Sequence, residues 1–234
     1  MIISVSGKIG SGKDTVGLII QILTHNESFS NENVLEHLKI DAVKHYIGPV
    51  WEIKKFAGKL KQIVALLTGC TIEQLEDQEF KTSKMSEEWS HPNGWADQPE
   101  KELVPVTYRE FLQKVGTDAL RDKVHKEVWV NALFADYKAF NEPSRYPNGG
   151  GGKHPNWIIT DTRFPNELAA VEEYGGITIL VRRGNDDSST TKAHESETAL
   201  DNSSFDYVIL NNGTIEELIE DVRIILKKEK IIKY

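Results

Sequence analysis

The residues with the clearest chemistry stand at the start of the chain, in the run Gly7-Lys8-Ile9-Gly10-Ser11-Gly12-Lys13-Asp14-Thr15. A polyphosphate needs several backbone N–H groups converging on it, and glycine permits both the unusual dihedrals and the close approach that this requires. Gly7, Gly10 and Gly12 supply that freedom, and Lys8, Ser11, Lys13, Asp14 and Thr15 complete the candidate cradle. Lys13 stands where its ammonium can reach the two outer phosphates and neutralise charge that moves toward the bridging oxygen during transfer. The next residue in such runs is usually Ser or Thr, a magnesium ligand; here it is Asp14 followed by Thr15, which leaves the hydroxyl-to-metal contact open.

A magnesium nucleotide also calls for an acidic side chain at the end of a neighbouring buried strand, and Asp161 follows Trp157-Ile158-Ile159-Thr160 in that place. Its bland alternative is an N-cap for a helix beginning near Pro165. Arg163, two residues on, carries a planar fork suited to bridging two phosphates, with a structural salt bridge as its alternative. Arg182 and Arg183 end the next strand, and Arg182 joins Lys13, Asp161 and Arg163 as a catalytic candidate.

Further cations are placed for an anionic acceptor. Lys59 and Lys61 lie just after a strand in Phe56-Ala57-Gly58-Lys59-Leu60-Lys61, with surface lysine as the ordinary alternative. Arg109 and Arg121 flank Gly116-Thr117-Asp118, where a glycine inside a helical pattern signals close approach of a ligand or of another helix. His194-Glu195-Ser196-Glu197 lacks zinc-ligand spacing and reads better as part of a mobile lid. No nucleophile stands beside a base. A phosphate monoester has a second pKa near about 6, so at neutral pH such an acceptor is already mostly deprotonated and needs positioning and charge neutralisation only.

The elements that must position these groups alternate along the chain. Ile2 to Val5 is a β-branched strand, and Thr15 to Leu23 has the length and apolar content of a buried helix. A second strand region ends at Trp51 to Phe56, after a polar stretch near His25 to Asn33. Leu60 to Leu67 reads as a helix stopped by Gly69, and Thr71 opens a short capped helix. Thr82 to Val106 has no clear period and reads as a surface insertion. Thr107 caps a helix running to about Lys123, and Glu127 to Phe140 has apolar residues at helical spacing. A four-glycine run between Asn148 and Lys153 reads as a flexible connection. The strands Trp157 to Thr160, Ile177 to Val181 and Tyr207 to Leu210 then alternate with helices reaching Tyr174 and starting at Thr214. This order predicts an α/β fold with a mainly parallel sheet and ligands at the carboxyl ends of its strands.

Composition sets limits on function. A length of 234 residues suits one domain with insertions, and the formal net charge of -8 gives no electrostatic footprint for nucleic acid. A small phosphate ester held by clustered cations fits better. Cys70 is the only cysteine, which excludes an internal disulfide, agrees with a reducing cytoplasm and reads as a small buried hydrophobe. No apolar run approaches the roughly 18 residues of a membrane span, and Met1 to Ser6 leads into the glycine run instead of a signal peptide.

Taken together, these residues resemble the bacteriophage-type deoxynucleoside monophosphate kinases and, more distantly, the animal phosphomevalonate kinases. The resemblance is carried in order by Gly12-Lys13-Asp14-Thr15, Phe56 to Lys61, Arg109 through Gly116-Thr117-Asp118, Trp129, Thr160-Asp161-Thr162-Arg163, His194 to Glu197, and Asn211-Asn212-Gly213. It implies a P-loop NTPase fold, three-layered α/β/α, with a core of about residues 1–56 and 154–234. It further implies a helical monophosphate-binding insertion over about residues 57–153 and a lid over about residues 184–204. The implied activity is ATP- and Mg2+-dependent phosphorylation of a deoxynucleoside monophosphate by a phage-encoded cytoplasmic enzyme, with dimerisation open. Gly7, Lys8, Gly10, Ser11, Gly12, Lys13, Asp14 and Thr15 would hold ATP, and Asp161 the metal. Phe56, Lys59, Lys61, Arg109, Thr117, Asp118, Arg121, Trp129, Arg163 and Glu197 would meet the acceptor. Two other readings stay open: a kinase of another small phosphate, such as phosphomevalonate, and a nucleotide-dependent switch with no small acceptor.

Overall fold

A computed structural model describes residues 1–40, 51–92, 103–138, 154–184 and 198–233. The tetraglycine run and His194 to Glu197 lie outside the described residues. The chain divides into two compact units, Met1–Lys55 with Phe134–Tyr234, and Phe56–Leu133.

The first unit is built on a five-stranded sheet: β1 (Ile2–Ser6), β2 (Trp51–Lys54), β5 (Asn156–Thr162), β6 (Ile177–Arg182) and β7 (Tyr207–Leu210). Their order is β2-β5-β1-β6-β7 and every pairing is parallel. All five residues of β1 are buried, as expected of a central strand covered on both faces. Ile3 and Val5 join a core cluster with α1 (Lys13–His25), α2 (Asn31–Ile40) and the last helix, α9 (Ile215–Lys228). Side chains alternate along a strand, so Ile2, Ser4 and Ser6 face the other way, where α8 (Pro165–Glu173) packs on β1 and β6. The chain is therefore α/β with helices on both faces of a parallel sheet, as the alternation of elements predicts.

Helix α2 is absent from the sequence reading, which places only a polar stretch before the second strand. Its start is a reciprocal cap: Asn33 N donates to Ser30 Oγ (3.3 Å) and Ser30 N to Asn33 Oδ1 (3.2 Å). An asparagine fills the place where a capping box ordinarily shows Glu or Gln, which hides the signature. Among the described side chains of the helix Val34 alone is fully buried, so periodicity is weak, and Arg223 of α9 anchors its entry by donating to Phe29 O (2.8 Å) and Asn31 Oδ1 (3.0 Å).

The second unit contains α3 (Gly58–Thr68), α4 (Ile72–Glu76), α5 (Gln78–Thr82), a 3-10 turn (Glu87–Trp89), the antiparallel pair β3 (His91–Pro92) and β4 (Leu103–Val104), and α6 (Tyr108–Gln113). The described residues of the Thr82 to Val106 insertion, 82–92 and 103–106, have more order than their sequence suggests. Met85 N donates to Val106 O (2.8 Å), and Trp89 sets its ring edge against Phe111 of α6. Cys70 is half-buried, contrary to expectation. It follows Gly69 at the end of α3, on a turn and not on a core face, with Sγ 3.0 Å from Thr68 Oγ1.

The largest departure from the sequence reading is in the helix that Thr107 begins. The capping box forms as expected, with Glu110 N donating to Thr107 Oγ1 (3.2 Å) and Thr107 N to Glu110 Oε2 (2.8 Å). Beyond Gln113, however, the coil widens into a π-helix over Lys114–Val124, followed by α7 (Val128–Phe134). Two contacts within this unit account for the widening. Gly116 lies so close to α3 that a Cβ there would stand 2.6 Å from Leu60 Cδ2, and its carbonyl accepts a hydrogen bond from Trp129 Nε1 (2.9 Å). A side chain taking a carbonyl out of the α-helical ladder is one recognised cause of such local unwinding.

Candidate active site

The glycine run forms the turn between β1 and α1. Ser11 N donates to Lys8 O (3.1 Å), closing the loop, and Val16 N donates to Gly12 O (2.9 Å), starting the helix. Gly12 has φ of 97°, the left-handed region that side chains other than glycine rarely adopt. Gly7 is required for space: a Cβ there would stand 2.6 Å from Val181 O and overlap Ser11 Oγ. Lys13 is buried at the helix start with Nζ 3.3 Å from Lys8 O.

The lining of this turn suits an oxygen-rich anion. Ser6 Oγ at the strand exit and Ser11 Oγ inside the loop are buried and without a hydrogen-bond partner among the described residues. An unpartnered buried hydroxyl costs about 1–3 kcal/mol, so such groups are kept where a ligand satisfies them. The N-terminus of α1 adds its backbone N–H groups and the positive end of the helix dipole.

Asp14 faces a neighbourhood that the sequence alone does not reveal. Its Oδ1 accepts from Thr160 Oγ1 (3.1 Å) and lies 3.4 Å from Lys55 Nζ. Partial burial pushes the Asp14 carboxyl up, but Lys55 and then Lys13, with the hydrogen bonds from Thr160 and Lys55, outweigh it and hold the group below the usual carboxylate range. Asp14 is thus an anion held in a polar bracket, with Thr15 half-buried beside it.

Asp161 is buried near the end of β5, which continues one residue further, to Thr162. The pairing of β5 with β1 slips here: Ser4 stands opposite Ile159, but Ser6 stands opposite Thr162. The extra residue is a β-bulge at Thr160-Asp161, a feature that locally bends a strand and re-aims its side chains. Ser4 Oγ and Thr162 Oγ1, 2.7 Å apart, tie the strands together at that point. The N-cap alternative for Asp161 does not hold. Phe164 occupies that position, and Glu167 satisfies the backbone N–H groups of Arg163 (2.8 Å) and Phe164 (3.1 Å). The Arg163 side chain is half-buried, while Arg182 and Arg183 are both exposed at the end of β6. Lys8 Nζ lies 3.9 Å from Asp201 Oδ1.

Within the second unit, Phe56 is buried and Lys59 half-buried at the start of α3. Lys61 is buried and ion-paired with Glu76 at 2.5 Å. Arg109 donates from one terminal nitrogen to Gln78 Oε1 (3.0 Å), while its Nε is buried without a partner among the described residues. Thr117 is buried, Arg121 half-buried and Asp118 exposed, all on the π-helix, which packs on α3. Trp129 is buried with its indole nitrogen on Gly116 O, so it supports the π-helix directly. Glu197 lies outside the described residues.

Three contacts around the glycine turn escape the sequence reading, which has Thr160 and Asn211 only as carriers of the resemblance: Lys55 and Thr160 on Asp14, and Asn211 Nδ2 donating to Ser11 O (2.8 Å). Only tertiary structure brings them to the loop. The patterns around them, a lysine ending a strand and an asparagine before a turn, carry no such signal. Among the described residues no group of three or more His, Cys, Asp or Glu side chains could hold a metal ion, and no helix is long and apolar enough to cross a membrane.

The family model for deoxynucleotide monophosphate kinase matches residues 53–222, well over half of the chain. The chain belongs to this family. The deoxynucleotide monophosphate kinase of Enterobacteria phage T4 is 31% identical over 120 residues, 51% of this chain and 45% of the phage protein. That of Escherichia phage RB69 is 28% identical over 119 residues, 51% of this chain and 44% of its own length. A protein of Acanthamoeba polyphaga mimivirus is 32% identical over 132 residues, 53% of this chain and 63% of its own. The chain thus spans about half the length of its phage relatives in the family. The family match begins after the glycine run, so the reading of that loop rests on its own geometry.

Proposed function

We propose that this chain transfers the γ-phosphoryl group of ATP to the phosphate of a deoxynucleoside monophosphate, giving ADP and a deoxynucleoside diphosphate. The observation that carries the reading is the glycine turn between β1 and α1, with Lys13 at its base and two buried hydroxyls awaiting partners, in a chain of this family. Lys13 and the loop amides neutralise the outer phosphates of the donor. Asp161 would hold Mg2+, which when bound draws charge from the transferring oxygens. Arg163, beside it in sequence, takes up charge on the group in transit, with Arg182 as a further cation at the neighbouring strand end.

The acceptor is bound by Phe56, Lys59, Arg109, Thr117 and Arg121. Arg109 has a nitrogen unpartnered among the described residues that a phosphate or base oxygen would satisfy, whereas Lys61 acts through Glu76 by fixing α3 to α4. Its phosphate oxygen is already deprotonated at neutral pH, so in-line attack needs no general base. The test is an acceptor screen with ATP, Mg2+ and each deoxynucleoside and ribonucleoside monophosphate. ADP formation that depends on a deoxynucleotide is the expected result. ADP formed with phosphomevalonate alone, or independently of any acceptor, would refute the proposal.

A further inference from the structure

The turn after β7 reaches back to the glycine loop through Asn211. We infer that Asn211 is the positioning residue that aims the phosphate loop, an assignment that rests on reading that loop as the triphosphate cradle. Its Nδ2 donates to Ser11 O at 2.8 Å, and its carboxamide fills the space that a Cβ on Gly12 would need. The residue itself cannot drift. Asn211 N donates to Arg182 O (2.7 Å), and next to it Gly184 N donates to Asn212 Oδ1 (2.6 Å), so the turn is fastened to the end of β6 at two points.

The consequence follows from peptide geometry. The carbonyl of Ser11 and the N–H of Gly12 belong to one planar trans peptide and point in opposite directions. Holding the oxygen therefore holds the hydrogen. A peptide that precedes glycine is the one most able to flip, because glycine populates both signs of φ with little penalty. Gly12 sits at φ 97°, so its own sterics do not choose the orientation that presents its N–H away from Asn211. The carboxamide makes that choice. A donor of this length and a planar shape that fits under Gly12 are both needed; aspartate at the same place has the shape, but turns an acceptor toward an acceptor.

The test uses the full chain and the variants Asn211→Ala and Asn211→Asp. Hydrogen exchange is followed by mass spectrometry over residues 7–16 without nucleotide, and binding of a non-hydrolysable ATP analogue and of a deoxynucleoside monophosphate is titrated separately. Loss of one aiming hydrogen bond should speed exchange in the loop and weaken the ATP analogue about five- to tenfold in Asn211→Ala, with a larger loss in Asn211→Asp. Affinity for the monophosphate should stay within about twofold, and the melting temperature within a few degrees. Unchanged loop exchange in both variants, or parallel losses in both affinities and in melting temperature, would overturn the assignment. If the unaltered chain fails to bind the ATP analogue, the triphosphate reading falls, while loop exchange still decides whether Asn211 orders the turn.

Discussion

In the phosphate loop the polar contacts run to residues far along the chain: Asp14 to Lys55 and Thr160, and Ser11 to Asn211. In the second unit they run to nearer neighbours: Lys61 to Glu76, Arg109 to Gln78, and Trp129 to Gly116. The loop takes its form from the buried central strands β1 and β5, so it is shaped before any ligand arrives. The π-helix rests on one indole hydrogen bond, a close approach to α3 and partly exposed side chains, and regions of that kind open at lower cost than a buried sheet. Under the proposed function this difference makes a stiff donor cradle and a softer acceptor-binding unit, and each part can be broken separately.

Lys13→Ala strikes the stiff part hardest. Turnover should fall by about a hundredfold to a thousandfold or more with melting unchanged, because a preorganised cation is removed and no core contact is lost. Retention of more than a tenth of the turnover would take Lys13 out of the chemistry. Arg163→Ala comes next, with an expected fall in kcat of about ten- to a hundredfold and ATP affinity nearly preserved. Equal losses in kcat and affinity would make it a ground-state contact.

Trp129→Phe probes the softer part. It keeps most of the ring but leaves the Gly116 carbonyl without its indole donor, at an expected cost of about 1–2 kcal/mol in urea unfolding. Faster hydrogen exchange should then be confined to residues 114–124 and leave the phosphate loop unaffected. If exchange rises in both places, the two regions are not energetically separate.

The smallest effect concerns acid. Because Asp14 is held below its ordinary pKa, its contribution to stability is present above about pH 4 and is lost as the pH falls through its depressed value. Asn in its place should therefore lower the melting temperature slightly at neutral pH, leave it unchanged in strong acid, and so flatten the acid limb of the profile below about pH 4. An acid limb of unaltered slope would show that the bracket of Lys55 and Thr160 contributes nothing.

What could be read from residues alone was local. A β-branched strand, three glycines, a lysine and an apolar helix follow one another within Ile2 to Leu23, so the loop and its flanks are legible from spacing. The capping boxes at Thr71, Thr107 and Thr214 are equally local and form as expected. The π-helix left no trace because its cause is a contact between Gly116, Leu60 and Trp129, and an i-to-i+5 ladder has no residue signature of its own. The roles of Asn211 and Lys55 were invisible for the same reason. Each depends on where the sheet brings a strand end, which no short window contains. Asp161 falls near the end of β5 as its sequence context predicts, but the bulge beside it has no sequence signature, since register is a property of two strands together.

The strand order carries a consequence for how the molecule is made. Among the described strands β1 is the earliest in the sequence, yet it sits in the middle of the sheet, and both of its neighbours, β5 and β6, come from beyond residue 155. During synthesis the leading segment must wait, unpaired, while the whole of the second unit emerges with its shorter-range contacts. Closure of the sheet is a long-range event of the slow kind, and an apolar strand waiting for it is open to misassociation. Nascent chains halted before β5 should therefore hold a folded second unit beside an unfinished first one.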